Sequence, residues 1–204
     1  MSWSHRRRKD ARPGEILQAA LAEFAMNGFA ATRIEDVARR AGITKGTVYL
    51  YFDSKETLFR ALLEQESSRT FAEFDILLDT YDGTAPALLH LLIRQAGSQL
   101  LAGDLRHLIR LLIAEGPRFP DLLAFHHAQV IRGGRQRIER VIRYGIERGE
   151  FRDNGLADFP QIIIAGPMLA MLWESLFANL EPLNVETYLD TLADTLLRGV
   201  IHRS

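Results

Sequence analysis

Residues 42–52 read "GITKGTVYLYF", a stretch with two glycines, two threonines, a lysine and three aromatic side chains. It is too polar for a core strand and too aromatic for an ordinary exposed loop. The pattern predicts a short helix over residues 44–51. Val48 on this helix and Phe52 just after it, four positions apart, are expected to face inward. The other side chains of this helix are small, basic or phenolic, and they are available to contact a partner.

A second short helix, predicted over residues 32–41, precedes this stretch, and Gly42 makes the turn between the two. Thr32 and Glu35 have the spacing of a capping box at its start. Two short helices joined by a tight turn are typical of a helix-turn-helix, whose second helix enters the major groove of DNA. The alternative is a three-helix packing unit in which the tyrosines only fill surface grooves.

The helix-turn-helix interpretation explains the unusual composition, because threonine, lysine and tyrosine side chains suit phosphates and base edges. Backbone N–H groups at the start of the helix can also hold a phosphate. The residues that we expect to face DNA are Thr44, Lys45, Gly46, Thr47, Tyr49 and Tyr51. Lys55, just inside the next helix, is expected to contact the same DNA strand as these residues. The segment "HRRRKDAR" at residues 5–12 is expected to form a flexible basic arm.

Helical periodicity dominates the rest of the chain, and no convincing alternating strand appears. We therefore predict an all-α protein of nine helices. A second capping box, Asp53 with Glu56, is expected to start the fourth helix. The predicted helices cover approximately residues 13–26, 32–41, 44–51, 53–80, 84–102, 104–115, 120–149, 156–180 and 184–202, with a weak point at Gly133-Gly134 and a kink near Gly166-Pro167.

Composition limits the function classes. The 204 residues contain no cysteine, which excludes disulfides, a cysteine nucleophile and thiolate metal sites. Residues 1–60 carry 11 Lys or Arg against 7 Asp or Glu, whereas the remainder carries 14 against 19. This asymmetry indicates either two regions with different partners or a chance arginine cluster. The longest apolar run, residues 162–173, is too short to span a membrane, and we expect a cytoplasmic protein.

Residues 16–63, "ILQAALAEFAMNGFAATRIEDVARRAGITKGTVYLYFDSKETLFRALL", resemble the TetR/AcrR family of bacterial transcriptional regulators. The resemblance is carried by Gly28-Phe29, Val37-Ala38, Ala41-Gly42, the Lys-Gly-Thr of the recognition helix, Tyr49 with Phe52, and Ser54 to Glu56. It implies an all-helical homodimer that binds a near-palindromic double-stranded DNA operator, usually as a ligand-responsive repressor. It also implies that Thr32, Thr44, Lys45, Gly46, Thr47, Tyr49, Tyr51 and Lys55 touch DNA, and that Arg33 is placed to reach a phosphate.

The resemblance divides the chain into a DNA-binding domain, residues 1–63, and an effector-binding and dimerisation domain, residues 64–204. Helices eight and nine carry long apolar stripes, and four such helices from two chains can form an isologous bundle. The alternative is that these stripes are ordinary core. The family interpretation favours a homodimer through helices eight and nine.

A small-molecule effector of unknown identity would bind an apolar cavity with a few polar groups. For each single candidate residue, a place in the ordinary core or on the surface is the more common role. The candidates in the C-terminal region are His90, Arg94, Phe119, Phe125, His126, Met168 and Trp173, with Tyr81, Met171 and Phe177 as further possible walls. His126 and the adjacent His127 point in different directions on a helix, so they are not expected to share a metal.

Other function classes have less support. The sequence lacks the Gly-x-Ser-x-Gly, HExxH, phosphate-loop and dinucleotide motifs, and we therefore expect no enzymatic activity, cofactor or bound metal. A helical architectural DNA-binding protein without an effector would need a broadly basic surface, but residues 61–204 are net acidic. A transcriptional activator of the same fold is the remaining alternative to a repressor.

Overall fold

A computed structural model describes the backbone of residues 3–101 and 103–201, and the side chains of residues 12–101 and 104–201. This part of the chain forms nine helices and no β-strand, which confirms the predicted fold class. The helices are α1 Trp3–Ala31, α2 Ile34–Arg40, α3 Lys45–Tyr49, α4 Lys55–Thr80, α5 Ala85–Leu101, α6 Gly103–Glu115, α7 in two segments Pro120–His126 and Arg132–Glu147, α8 Gln161–Phe177 and α9 Val185–Val200.

The first helix begins ten residues earlier than predicted. It starts at Trp3, and Pro13, the predicted start, lies inside it. The predicted flexible arm at residues 5–12 is therefore helical, because the Arg, Lys and Ala residues of this segment all favour helix. Near its other end α1 is broken at Gly28, whose φ of 78° lies in the left-handed region that glycine tolerates.

The caps of two helices differ from the predictions. The Thr32 hydroxyl does not cap α2 but donates to the carbonyls of Gly28, at 2.7 Å, and Glu23, at 3.2 Å. Arg33 occupies the N-cap position without a side-chain bond. At α4 the Ser54 hydroxyl accepts from the Thr57 N–H at 3.2 Å, so Ser54 is the cap in place of the predicted Asp53–Glu56 box.

The helix predicted over residues 120–149 is one continuous run with a π-helical turn, His127–Ile131, between its two segments. Gly133 follows this turn, and a Cβ there would lie 2.9 Å from the Phe71 ring of α4. This close approach explains the glycine. The kink predicted at Gly166-Pro167 does not interrupt α8, which continues through both residues.

Two compact units divide the chain. The first contains residues 1–67 and 107–130, and the second contains residues 68–106 and 131–204. The first unit thus combines the N-terminal helices with residues 107–130, although these residues lie after the boundary that was predicted at residue 63. The assignment of DNA binding and effector binding to residues 1–63 and 64–204 stays a prediction.

The first unit has an aromatic centre. Phe24, Phe29 and Phe59 are fully buried, and their ring centroids lie 5.3 to 5.7 Å apart. Such tilted and edge-to-face pairs stabilise a core beyond the area that they bury. Since Phe24 and Phe29 flank the break at Gly28, the cluster ties both sides of the break to α4.

In the second unit α5 is the central helix, and it packs on α8, α9 and the second segment of α7. The core residues of this unit include Leu88, Leu89, Ile93, Val141, Ile142, Ile163, Leu189 and Ala193, all buried. A Cβ at Gly97 would meet the Leu189 side chain at 2.4 Å, so glycine lets α5 and α9 approach closely. Among the described residues, no helix combines the length and apolar character needed to cross a membrane.

Candidate nucleic-acid interface

The pair α2 and α3 forms the predicted helix-turn-helix. Gly42 has a φ of 65°, and the Ile43 N–H donates to the Ala38 carbonyl at 3.0 Å, which closes the turn. Val48 is fully buried and Phe52 nearly so, as their spacing predicted. These anchors fix which side of α3 faces outward.

The outward side of α3 carries most of the side chains predicted to face DNA. Thr44, Lys45, Gly46 and Tyr49 are exposed, whereas Thr47 and Tyr51 are half-buried. The Thr44 hydroxyl accepts from the Thr47 N–H at 3.1 Å and so caps α3. Arg33, at the start of α2, is also exposed.

Lys45 already has an acidic partner on the preceding helix. Its ammonium lies 2.5 Å from the Glu35 carboxylate and 5.6 Å from the centroid of the Tyr49 ring. The hydrogen bond with Glu35 raises the pKa of Lys45, and the same bond lowers the pKa of Glu35. Lys45 is therefore a cation at neutral pH, and its ammonium group is paired with a carboxylate in this structure.

Two of the predicted DNA contacts point elsewhere. The Thr32 side chain is only 2% exposed, because its hydroxyl is bonded inside the first unit. The Lys55 ammonium donates to the carbonyls of Phe29, at 3.0 Å, and Ala30, at 2.9 Å, and lies 4.9 Å from the centroid of the Phe29 ring. In this geometry Lys55 caps the carbonyls at the end of α1.

Sequence reasoning missed Leu50, which directly follows α3 and is 80% exposed. Its position between Tyr49 and Tyr51 in the quoted stretch was the available indication, since a leucine on the outward side of a short helix has no core to fill. An exposed leucine beside basic and hydroxyl-bearing side chains can pack on a thymine methyl group.

The predicted effector residues are divided between the two compact units. Phe119, Phe125 and His126 belong to the first unit, whereas His90, Arg94, Met168 and Trp173 belong to the second. His90 and Arg94 both bond the Asp190 carboxylate, at 3.0 and 2.7 Å, and these two bonds lower the pKa of Asp190. They are thus part of a half-buried ion-pair group between α5 and α9.

The other predicted effector residues have structural contacts. Phe119 packs edge to face on Phe29, and the Arg60 guanidinium lies over the Phe125 ring at 5.2 Å. His126 is buried, which lowers its pKa to about 4, with a smaller contribution from His127. In the second unit Met168 is half-buried, and the Trp173 indole N–H donates to the Glu181 carbonyl at 2.9 Å.

A cavity of about 410 Å³ lies in the second unit, between the end of α4, α5 and the second segment of α7. Its apolar surface comes from Leu78, Leu88 and the rings of Tyr81 and Tyr144. The polar part of the lining comprises Gln136, Glu139, Arg140, Arg143 and Glu147. Tyr81 is a further possible wall that the sequence indicated, but none of the seven principal candidates lines this cavity.

Comparison with known proteins gives the same family for the segment that contains this interface. The family model for bacterial regulatory proteins of the tetR family matches residues 16–62. The HTH-type transcriptional regulator YfiR of Bacillus subtilis, itself described as uncharacterized, is 46% identical over 56 residues, which cover 28% of this chain and 27% of that protein.

Similarity also extends beyond the DNA-binding segment. The HTH-type transcriptional repressor SCO4008 of Streptomyces coelicolor is 30% identical over 144 residues, covering 71% of this chain and 69% of that protein. The structure of the transcriptional regulator FadR from Bacillus subtilis in complex with stearoyl-CoA superposes with a TM-score of 0.75 and 22% identity, covering 92% of this chain and 98% of that one. The chain therefore belongs to the TetR family of bacterial regulatory proteins, as residues 16–63 predicted, and it is a DNA-binding transcriptional regulator.

Proposed function

We propose that the chain is a ligand-responsive repressor that binds a near-palindromic operator as a homodimer and releases it when a small molecule binds. The observation that carries this proposal is the outward side of α3, where Thr44, Lys45, Gly46 and Tyr49 are exposed together beside Arg33. This set combines a cation, hydroxyl groups and a position without a side chain, which is the chemistry of groove and phosphate contact.

Within this proposal the nine predicted DNA-binding residues have two different roles. Arg33, Thr44, Lys45, Gly46, Thr47, Tyr49 and Tyr51 make the contacts with DNA. Thr32 and Lys55 do not contact DNA but hold the protein backbone in place, because their side chains donate to backbone carbonyls between Glu23 and Ala30. Leu50 is added to the contact set as the residue that packs on a base methyl group.

Dimerisation through α8 and α9 is supported by an apolar face on α8. Ile162, Leu169 and Leu176, seven positions apart, are each at least half exposed, and Phe159 and Leu180 beyond the ends of the helix are also exposed. Residues with this spacing lie on one side of a helix. Such a face suits an isologous interface, in which the same surface of two chains meets itself.

Effector binding is supported by the cavity in the second unit, whose volume of about 410 Å³ is in the range of small-molecule sites. FadR, the solved relative described above, holds stearoyl-CoA. Leu78 of the cavity belongs to α4, and α4 begins at Lys55, three residues after Phe52. A ligand that prefers one position of α4 would therefore shift the population between two states of the DNA-binding helices.

The experiment is a mobility-shift titration with DNA from directly upstream of the protein's own coding sequence, called the upstream DNA below. The proposal expects a discrete complex with this DNA, two protein chains per operator, and release by a compound that also raises the melting temperature. Equal affinity for upstream and shuffled DNA would contradict it and would favour an architectural protein. Increased transcription from the same promoter would favour an activator.

A further inference from the structure

The segment from the break in α1 at Gly28 to Arg33, the residue before α2, is called the α1–α2 turn here, and a carboxylate from a distant part of the sequence holds it. Glu115, the last residue of α6, accepts the Phe29 N–H at 2.9 Å and the Ala30 N–H at 2.8 Å, one on each carboxylate oxygen. The two carboxylate oxygens of Glu115 thus accept hydrogen bonds from two consecutive backbone amides, which follow the break in α1.

Gly28 makes room for this contact. A Cβ at Gly28 would lie 2.7 Å from Oε1 of Glu115, and the φ of 78° is also a conformation that other residues rarely adopt. Glycine is therefore required at position 28 for two reasons. One is the backbone conformation, and the other is the approach of the carboxylate.

Glu115 is poorly placed for the stability of its own helix. A carboxylate in the last turn meets the negative end of the helix dipole, where a basic residue is preferred. In compensation, a charged acceptor forms stronger hydrogen bonds with N–H groups than a neutral acceptor does. The benefit of this glutamate thus lies in the turn that it binds and not in α6.

The same turn is held from its other side. The Lys55 ammonium bonds the carbonyls of Phe29 and Ala30, while Glu115 bonds their N–H groups. Phe119, four residues after Glu115, packs edge to face on the Phe29 ring with centroids 4.8 Å apart. The backbone N–H and C=O groups of two consecutive residues are therefore fixed by charged groups of opposite sign, and a ring contact holds Phe29 as well.

The fixed turn leads directly into the DNA-binding helices. Arg33 is the N-cap of α2, and its carbonyl accepts from the N–H groups of Asp36 and Val37. At the other end of α2, the Ile43 N–H bonds the Ala38 carbonyl and sets the start of α3. A change in the backbone direction at this turn would consequently move both Arg33 and α3.

We propose that Glu115 is a positioning residue for DNA binding, which acts by fixing the α1–α2 turn through the Phe29 and Ala30 amides. The inference rests on the proposed function, and it extends the DNA-binding machinery beyond residues 1–63 to the segment that contains Glu115 and Phe119. Glu115 itself does not touch DNA.

The test compares Glu115→Ala and Glu115→Gln with Glu174→Gln in the full chain. Glu174 is a matched control, since its carboxylate also accepts a backbone N–H, that of Leu183 at 2.8 Å, but in the second unit. Affinity for the upstream DNA is measured by fluorescence anisotropy at a temperature where every variant is folded. We expect Glu115→Ala to weaken binding about tenfold, since two charge-assisted hydrogen bonds are lost.

Glu115→Gln keeps one acceptor and should fall between Glu115→Ala and the wild type, whereas Glu174→Gln should bind like the wild type. Hydrogen exchange without DNA provides a second readout, in which the Phe29 and Ala30 amides lose protection in Glu115→Ala. If Glu115→Ala does not fold, Glu115→Gln is compared with the wild type both for DNA affinity and for hydrogen exchange. Wild-type affinity in the Glu115 variants, an equal loss in Glu174→Gln, or unchanged protection would overturn the inference. A wild type that does not bind the upstream DNA would contradict the proposed function instead, while the exchange result would still decide the contact.

Discussion

At the scale of single residues, Tyr49 is the clearest member of the proposed DNA-contact set. Tyr49 is 44% exposed on the outward side of α3, whereas Val48 on the inner side of the same helix is fully buried. An exposed tyrosine contributes little to folding, so its removal should separate binding from stability. Tyrosine is a stiff side chain with a hydroxyl that can donate to a phosphate.

We predict that Tyr49→Ala weakens binding to the upstream DNA at least about tenfold, the effect of one lost contact of about 1.4 kcal/mol. Tyr49→Phe should recover the part that comes from the ring. The melting temperature of both variants should stay within about 2 °C of the wild type, since the residue is exposed. Anisotropy and thermal unfolding measure the two effects, and a loss of stability that matches the loss of binding would count against a contact with DNA.

For the Lys45–Glu35 ion pair, we predict opposite changes in DNA affinity when one or the other member is replaced. Lys45→Ala should weaken binding and reduce the slope of log affinity against log salt by about 1, because one phosphate contact is lost. Glu35→Gln should strengthen binding roughly threefold, since it removes a negative charge near the phosphates and releases Lys45. Salt titrations of both variants provide the measurement. Weaker binding by Glu35→Gln would show that the pair instead holds α3 in place.

Buried His126 makes the stability of the fold depend on pH. Burial lowers its pKa from 6.5 to about 4, so the unfolded chain takes up a proton at a higher pH than the folded protein. Stability is therefore unaffected above pH 6.5 and is lost as the pH falls towards 4, by up to about 3 kcal/mol. Urea unfolding at pH 7 and pH 4.5 should show a smaller loss in His126→Leu than in the wild type. The neighbouring His127→Gln, an exposed position, should keep nearly the wild-type loss.

At the scale of helices, the two candidate caps at the start of α4, Ser54 and Asp53, can be compared directly. Ser54→Ala should destabilise the protein by about 1 kcal/mol, because its hydroxyl accepts the Thr57 N–H at the start of α4. Asp53→Ala should cost less, since the structure gives the cap to Ser54. Chemical denaturation of both variants decides between the two caps, and a larger effect at Asp53 would restore the capping box that the sequence predicted.

The same helices show what sequence can predict. The stretch at residues 42–52 was sufficient to predict α3, the turn at Gly42 and the two buried anchors, because turn and spacing are local. Thr32 could not be placed correctly, since its hydroxyl turns to the Gly28 carbonyl only after the chain has bent at Gly28. Most of the residues that line the cavity in the second unit could not be predicted for a related reason. Packing decides which side of a helix lines a cavity, and periodicity cannot distinguish that side from ordinary core.

At the scale of the whole molecule, the apolar face of α8 predicts a dimer that a single charge can disrupt. Leu169→Glu should produce a monomer, because it would place two carboxylates near the two-fold axis of an apolar interface. The control is Ile76→Glu, at an apolar residue of α4 that is even more exposed than Leu169. Light scattering after size-exclusion chromatography gives the mass of each variant. A dimeric Leu169→Glu, or a monomeric Ile76→Glu, would place the interface elsewhere.

The central claim is that a dimer presents two copies of the outward side of α3 to one operator. Hydroxyl-radical footprinting of the full chain on the upstream DNA tests this claim most directly. The account predicts two protected half-sites related by two-fold symmetry, with centres about one DNA turn apart or slightly more. Both half-sites should lose protection together in Tyr49→Ala. A single protected site, or protection that is unchanged in Tyr49→Ala, would contradict the account.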